Sequence, residues 1–154
     1  MKKILLLATL VLGMVSCMKD QSLDANLVGD GNFVLSVALP DDATRAAGTD
    51  SAKGAVDNGV LGEYDVRYTL EVYDATGALA KEAQHTVNAT STSFELRLLP
   101  GRHYRFVVWA DFVLQGSDED LHYDTTDIQA ISLKGEQKAN DESRDAYTCV
   151  RLVE

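Results

Sequence analysis

Three histidines, twenty-four carboxylates, two cysteines and one tryptophan are the side chains of this 154-residue chain best equipped to bind or react. His85, His103 and His122 stand far apart on three separate predicted elements, and none has a second histidine or a cysteine at zinc-ligand spacing. They read as exposed or strand-edge histidines. Asp118, Glu119, Asp120, Asp124 and Asp127 form an acidic cluster whose carboxylates could hold calcium. The cluster lacks the glycine and ordered spacing of a calcium loop, which favours a solvated acidic loop. No serine or threonine sits in a G-x-S-x-G elbow, and no glycine-rich phosphate loop is present. Tyr104, Phe106 and Trp109 could line a carbohydrate groove, but they occupy the most apolar stretch of the chain, where core packing is the simpler use. The expectation is therefore no enzyme, no metal, no cofactor and no evident small-molecule substrate.

Cys17 has the most specific setting. Met1-Lys2-Lys3 precedes an almost wholly apolar run from Ile4 to Val15, followed by Ser16 and Cys17. A basic start, a dozen apolar residues and a small residue describe a secretory signal, too short to span a bilayer as a helix. A cysteine directly after the small residue resembles the bacterial lipoprotein signal, in which the thiol accepts diacylglycerol before cleavage. Val15, Ser16 and Cys17 fit, and Met14 stands where leucine is commonest. Cys17 would become the first residue of the mature protein, held on the membrane by acyl chains that each contribute about 0.8 kcal/mol per buried methylene. The alternative is a plain signal cut after Ser16 or slightly later. Cys149, left without a partner for an internal disulfide, reads as a small buried apolar residue.

Removing residues 1–16 takes Lys2 and Lys3, so the net charge moves from −10 to 12 − 24 = −12. So acidic a chain is repelled by nucleic acid and anionic head groups, and neither is an expected partner. The remaining 138 residues (154 − 16) suffice for one domain. Residues 17–31 are polar and aperiodic and read as a flexible tether to a domain over 32–154.

The elements of that domain follow a period of two. In "NFVLSVALP", Phe33, Leu35, Val37 and Leu39 share one face and Pro40 ends the run. Residues 41–62 contain four glycines and no period, a long loop of a length that is usually functional or disordered. "YDVRYTLEVYD" alternates through Val66, Tyr68, Leu70 and Val72, and Asp74 to Gly77 make a turn. "ALAKEAQHTVN" is a weaker strand, with helix competing at Ala78 to Gln84. "SFELRLL" alternates again before Pro100-Gly101, and Val107, Val108 and Trp109 in succession mark a central strand buried on both faces. Further short strands are expected in "LHYD", "IQAISL" and "YTCVRLV". Six to eight strands about ten residues apart predict an all-β sandwich.

Several segments in order carry a family resemblance: "DDATRAA" after the first strand, "LEVYDATGALA", "LLPGRHYRFVVWADF", "YDTTDI" and "RDAY". With the lipoprotein signal, they resemble the fimbrillin-like lipoproteins that build type V pili in Gram-negative anaerobes. The resemblance implies a transthyretin-like Greek-key β-sandwich of about seven strands, carried to the outer membrane and the cell surface by a lipid anchor. It also implies partners: other fimbrial subunits, joined by strand addition. The second domain and carboxy-terminal donor segment usual in such proteins have no counterpart in this sequence.

In that family a trypsin-like protease cuts after an arginine in the loop following the first strand, and the strand leaves. Arg45, followed by Ala46, matches the position. The groove so opened would be the one Phe33, Leu35, Val37 and Leu39 had filled, to be refilled by a strand from a neighbour. The resemblance thus implies a structural, anchoring or accessory fimbrial subunit with a role in adhesion. The alternative is a free-standing β-sandwich lipoprotein that binds carbohydrate or a host protein.

Overall fold

The computed structural model describes residues 31–40, 59–136, 138 and 141–153. The predicted signal (1–16), nearly all of the tether (17–30) and most of the long loop (41–58) lie outside the described residues.

The chain is all-β among the described residues, with antiparallel ladders throughout. Eight strands run in order: β1 (Asn32–Ala38), β2 (Tyr64–Asp74), β3 (Leu79–Val87), β4 (Ser91–Arg97), β5 (Tyr104–Leu114), β6 (Tyr123–Asp124), β7 (Ser132–Leu133) and β8 (Ala146–Val153). Short 3-10 turns precede β2 at Gly59–Gly62 and β8 at Glu142–Arg144. The large sheet has the order β3-β2-β5-β8, and β1 pairs with β4 to make a second, two-stranded sheet facing it.

Alternation decides what lies between the sheets. Val66, Tyr68, Leu70 and Val72 of β2 are all fully buried, and across the ladder Phe106, Val108, Ala110 and Phe112 of β5 share their face. Phe33 and Leu35 of β1 with Phe94 and Leu96 of β4 close the core from the other side. Phe33 meets Phe106 at 5.1 Å between ring centroids, and His85 of β3 stacks on Phe94 at 4.4 Å. These two contacts set β1 over β5 and β4 over β3. Tyr68 is deep enough that burial pushes its phenol far above the ordinary range, and its hydroxyl donates to the Ala89 carbonyl at 3.2 Å.

β5 is covered on both faces, as its continuous apolar run requires. Its outward residues Val107 and Trp109 pack with Tyr73 of β2 and with Ile128 and Ile131, which the segment after β5 lays across the large sheet. That segment, residues 115–136, holds only the two-residue pair β6–β7 where alternation suggested two ordinary strands. It covers one face of a sheet instead of extending it, so its backbone groups turn to side chains: Asp124 and Asp127 each accept a backbone N–H two residues ahead. The helix alternative for Ala78 to Gln84 does not occur, because these residues pair with β2 in β3. Cys149 is half-buried, not buried, because β8 is the outer strand of its sheet.

Candidate functional site: the slot filled by the first strand

Phe33, Leu35 and Leu39 are buried and Val37 is half-buried, all packed in the main core. The alternate residues Val34, Ser36 and Ala38 are exposed. β1 is a short strand with Pro40 two residues beyond its end, so it cannot lengthen its ladder there.

β1 runs against β4 in unbroken register from Asn32 opposite Arg97 to Ala38 opposite Ser91. Both ends are clamped. Leu98 N–H donates to the Gly31 carbonyl at 2.9 Å, and Leu39 N–H donates to the Thr90 carbonyl at 2.8 Å. Gly31, assigned to the tether from sequence, is therefore already part of the fold. It holds φ = +79°, and a Cβ there would lie 2.3 Å from the Leu98 carbonyl oxygen, so only glycine fits the entry to β1. Ser36 and Ser93 join their hydroxyls across the outward face at 3.1 Å.

Among the described residues β1 pairs with β4 alone. Its attachment is thus one ladder plus one apolar face. Four apolar side chains at about 1.5–3 kcal/mol each contribute about 6–12 kcal/mol, comparable with the whole stability of a domain. Loss of β1 would uncover Phe94, Leu96 and Phe106 and leave β4 without its ladder. Chemically the site is a strand-shaped apolar slot with a row of backbone donors and acceptors beside it. Cys17, Arg45 and Ala46 lie outside the described residues.

The other candidates separate. His85 shares a hydrogen bond with Thr92 at 2.9 Å, His103 is exposed at the start of β5, and His122 Nε2 meets Ser143 Oγ at 3.0 Å. Tyr104 and Phe106 point into the core while Trp109 points to the opposite face, against Tyr123 at 5.2 Å, so the three do not share a groove. No group of three or more His, Cys, Asp or Glu among the described residues could hold a metal ion.

Two constellations were not legible in the sequence. Arg67, 2% exposed, donates from Nε and Nη2 to the Asp111 carboxylate at 2.9 and 2.6 Å. Its Nη1 reaches Asp120 Oδ1 at 2.8 Å and the Asp118 carbonyl at 3.0 Å. Burial opposes the Arg67 charge, yet the hydrogen bonds and charges of Asp111 and Asp120 hold its pKa above the ordinary value. Burial would raise Asp120, but hydrogen bonds from Thr125 and Arg67 outweigh it and hold the carboxyl below its usual range. Part of the acidic cluster is thus the fastening of the 115–136 segment, not a cation site.

The second constellation joins His122, Ser143 and Asp141. Ser143 Oγ donates to Asp141 Oδ1 at 2.6 Å, which leaves His122 Nε2–H as the donor to Ser143. A nucleophile needs the opposite polarity, with its proton given to the imidazole. Ser143 is 5% exposed, and burial lowers the His122 pKa, assisted by Arg144. This is a structural knot between the covering segment and the start of β8.

No curated protein and no solved structure matches the chain. The sequence model described as "Family of unknown function (DUF6562)" matches residues 25–153, from just before β1 to the end of β8, and the chain belongs to that family.

Proposed function

We propose that the protein is a surface lipoprotein, anchored in the outer membrane through Cys17, that serves as a structural, anchoring or accessory subunit of a type V fimbria with a role in adhesion. The observation that carries this reading is the single-sided attachment of β1: a strand built into the core, paired with β4 alone among the described residues. An incoming strand could replace it by supplying one ladder and one apolar face.

Arg45 lies seven residues beyond the end of β1 (45 − 38 = 7) in a stretch rich in small residues, suited to proteolysis. Cleavage there would separate β1 from β2 covalently while leaving the non-covalent slot intact. An uncut subunit keeps its slot filled and stays a lipid-bound cap or anchor. A transthyretin-like Greek-key arrangement of the sandwich belongs to the same proposal.

Limited trypsin treatment tests it. The expected result is a first cut after Arg45, read by amino-terminal sequencing, followed by SDS-resistant oligomers. A cut that leaves the protein monomeric, with bound glycan or host protein retained, would replace the subunit reading with that of a free-standing binding lipoprotein.

A further inference from the structure

The ends of the sandwich differ in charge. At the end where β2 finishes and β5 begins, Arg97 and Arg102 are exposed and enter no ion pair among the described residues. His103 is exposed beside them, and Arg105 lies over the Tyr73 ring at 4.8 Å. Apolar side chains share this end: Leu99 is 66% and Leu152 71% exposed, the two most exposed large apolar residues described. A cleft of about 560 Å³ opens there between the Asp74–Gly77 turn, His103, Arg105 and Leu152. Its one carboxylate among the described residues, Asp74, accepts from the backbone N–H groups of Thr76 and Ala78 and from the Thr76 hydroxyl. At the other end, about 37 Å away by the length of an 11-residue strand, Glu63, Asp118 and Glu119 are exposed. Screening over about 8 Å at physiological salt makes the two ends electrostatically independent, so the net charge of the chain does not describe either.

The fold places the start of the described domain at this same end. Gly31, where the described domain begins, is bonded to Leu98 beside this basic end. Only 31 − 17 = 14 residues separate it from Cys17, a reach of at most about 50 Å.

We infer that the Arg97–His103 end, with Leu99 and Leu152, is a membrane-facing surface that rests on the phosphate head groups of the leaflet holding the lipid anchor. The inference rests on the lipid-anchor reading for its geometry. Exposed arginines beside exposed leucines are the pairing an interfacial surface needs: the charges draw phosphates and the leucines enter the head-group layer. Docking at this end leaves β1 and β4 upright from the bilayer, with their outward face open to other chains.

The test is hydrogen–deuterium exchange on the protein purified from membranes and placed in vesicles of phosphatidylcholine alone or with 30% phosphatidylglycerol. Amides of residues 98–104 and 150–153 are expected to exchange at least about fivefold more slowly in the anionic vesicles. The protection should vanish in 1 M NaCl, where screening shortens to about 3 Å, and in the double variant Arg97→Gln/Arg102→Gln, whose near-ultraviolet circular dichroism reports the intact fold. Equal exchange in both vesicles overturns the inference, as does protection at Gln115–Asp120 instead. Protection that grows with protein concentration in the absence of vesicles overturns it too, assigning the end to a second copy of the chain. The intact mass of the same sample separates the two readings. Acylated protein without protection refutes the surface and keeps the anchor, and unacylated protein with protection refutes the anchor and keeps the surface.

Discussion

Truncating Leu35 tests the packing on which the strand-exchange proposal stands. Leu35 is 2% exposed in the middle of β1, opposite Phe94, while its neighbour Val34 is 57% exposed and opposite Glu95. Leu35→Ala removes buried methyl groups and leaves a cavity between two sheets that cannot close without shifting a whole ladder, so the cost should be about 2–5 kcal/mol. Val34→Ala removes a solvated side chain and should change stability by less than about 0.5 kcal/mol. With a urea slope of about 2 kcal/mol/M, Leu35→Ala lowers the unfolding midpoint by about 1–2.5 M, and Val34→Ala shifts it by about 0.25 M or less. Urea titration followed by the fluorescence of Trp109 reads both. The same change should speed release of β1, seen as faster exchange of the β1 and β4 amides in the intact protein. Equal costs for the two variants, or a larger cost for Val34→Ala, would refute the reasoning. A one-residue slip of the register reverses which face of β1 is buried, and the slot would then be lined by Val34, Ser36 and Ala38.

Other consequences can be checked with the same titration. Asp111→Ala should cost about 3–5 kcal/mol because it strands the buried Arg67 guanidinium, and the double variant Arg67→Met/Asp111→Leu should cost less than Asp111→Ala alone. Gly31→Ala, which forces a Cβ against the Leu98 carbonyl at positive φ, should destabilise by more than about 1 kcal/mol; Gly77→Ala, at φ = +83° with open space around it, should cost less. The carboxyl of Asp120 is held below its ordinary value of about 3.9, so its contribution is complete above that pH and fades as acid passes through the lower folded value. Protection of residues 117–126 against exchange, taken relative to the intrinsic rate at each pH, should therefore fall in acid before that of β2 and β5. Burial and the adjacent Glu71 push the Tyr73 phenol up to about 12, so tyrosine absorbance at pH 11 should show it still protonated in the folded protein.

Much of the fold was legible because β-structure writes itself locally. Side chains of a strand alternate between faces, so Phe33, Leu35 and Leu39, or Val66 through Val72, declare an inward face without reference to any partner. Turn residues are equally local: Asp74 caps its own turn and Gly77 supplies the positive φ. The continuous run in β5 identified a strand covered on both sides but not what covers it. Ile128 and Tyr123 belong to a segment with weak alternation, and their packing on Val107 and Trp109 is fixed by contact, not by period.

What the amino-acid order determined by itself was therefore the list of strands, their inward faces, the turns between them, the Cys17 setting and the absence of any familiar catalytic motif. Only the tertiary structure decided that β1 has a single partner, that Arg67 meets Asp111 44 residues away, that Asp120 fastens a covering segment, and that Arg97, Arg102 and Leu152 share one end. The reason is the range of the forces that set each feature. Alternation and turn geometry depend on neighbours one to four residues away, whereas pairing, burial of charge and the gathering of surface residues depend on which strands the core brings side by side.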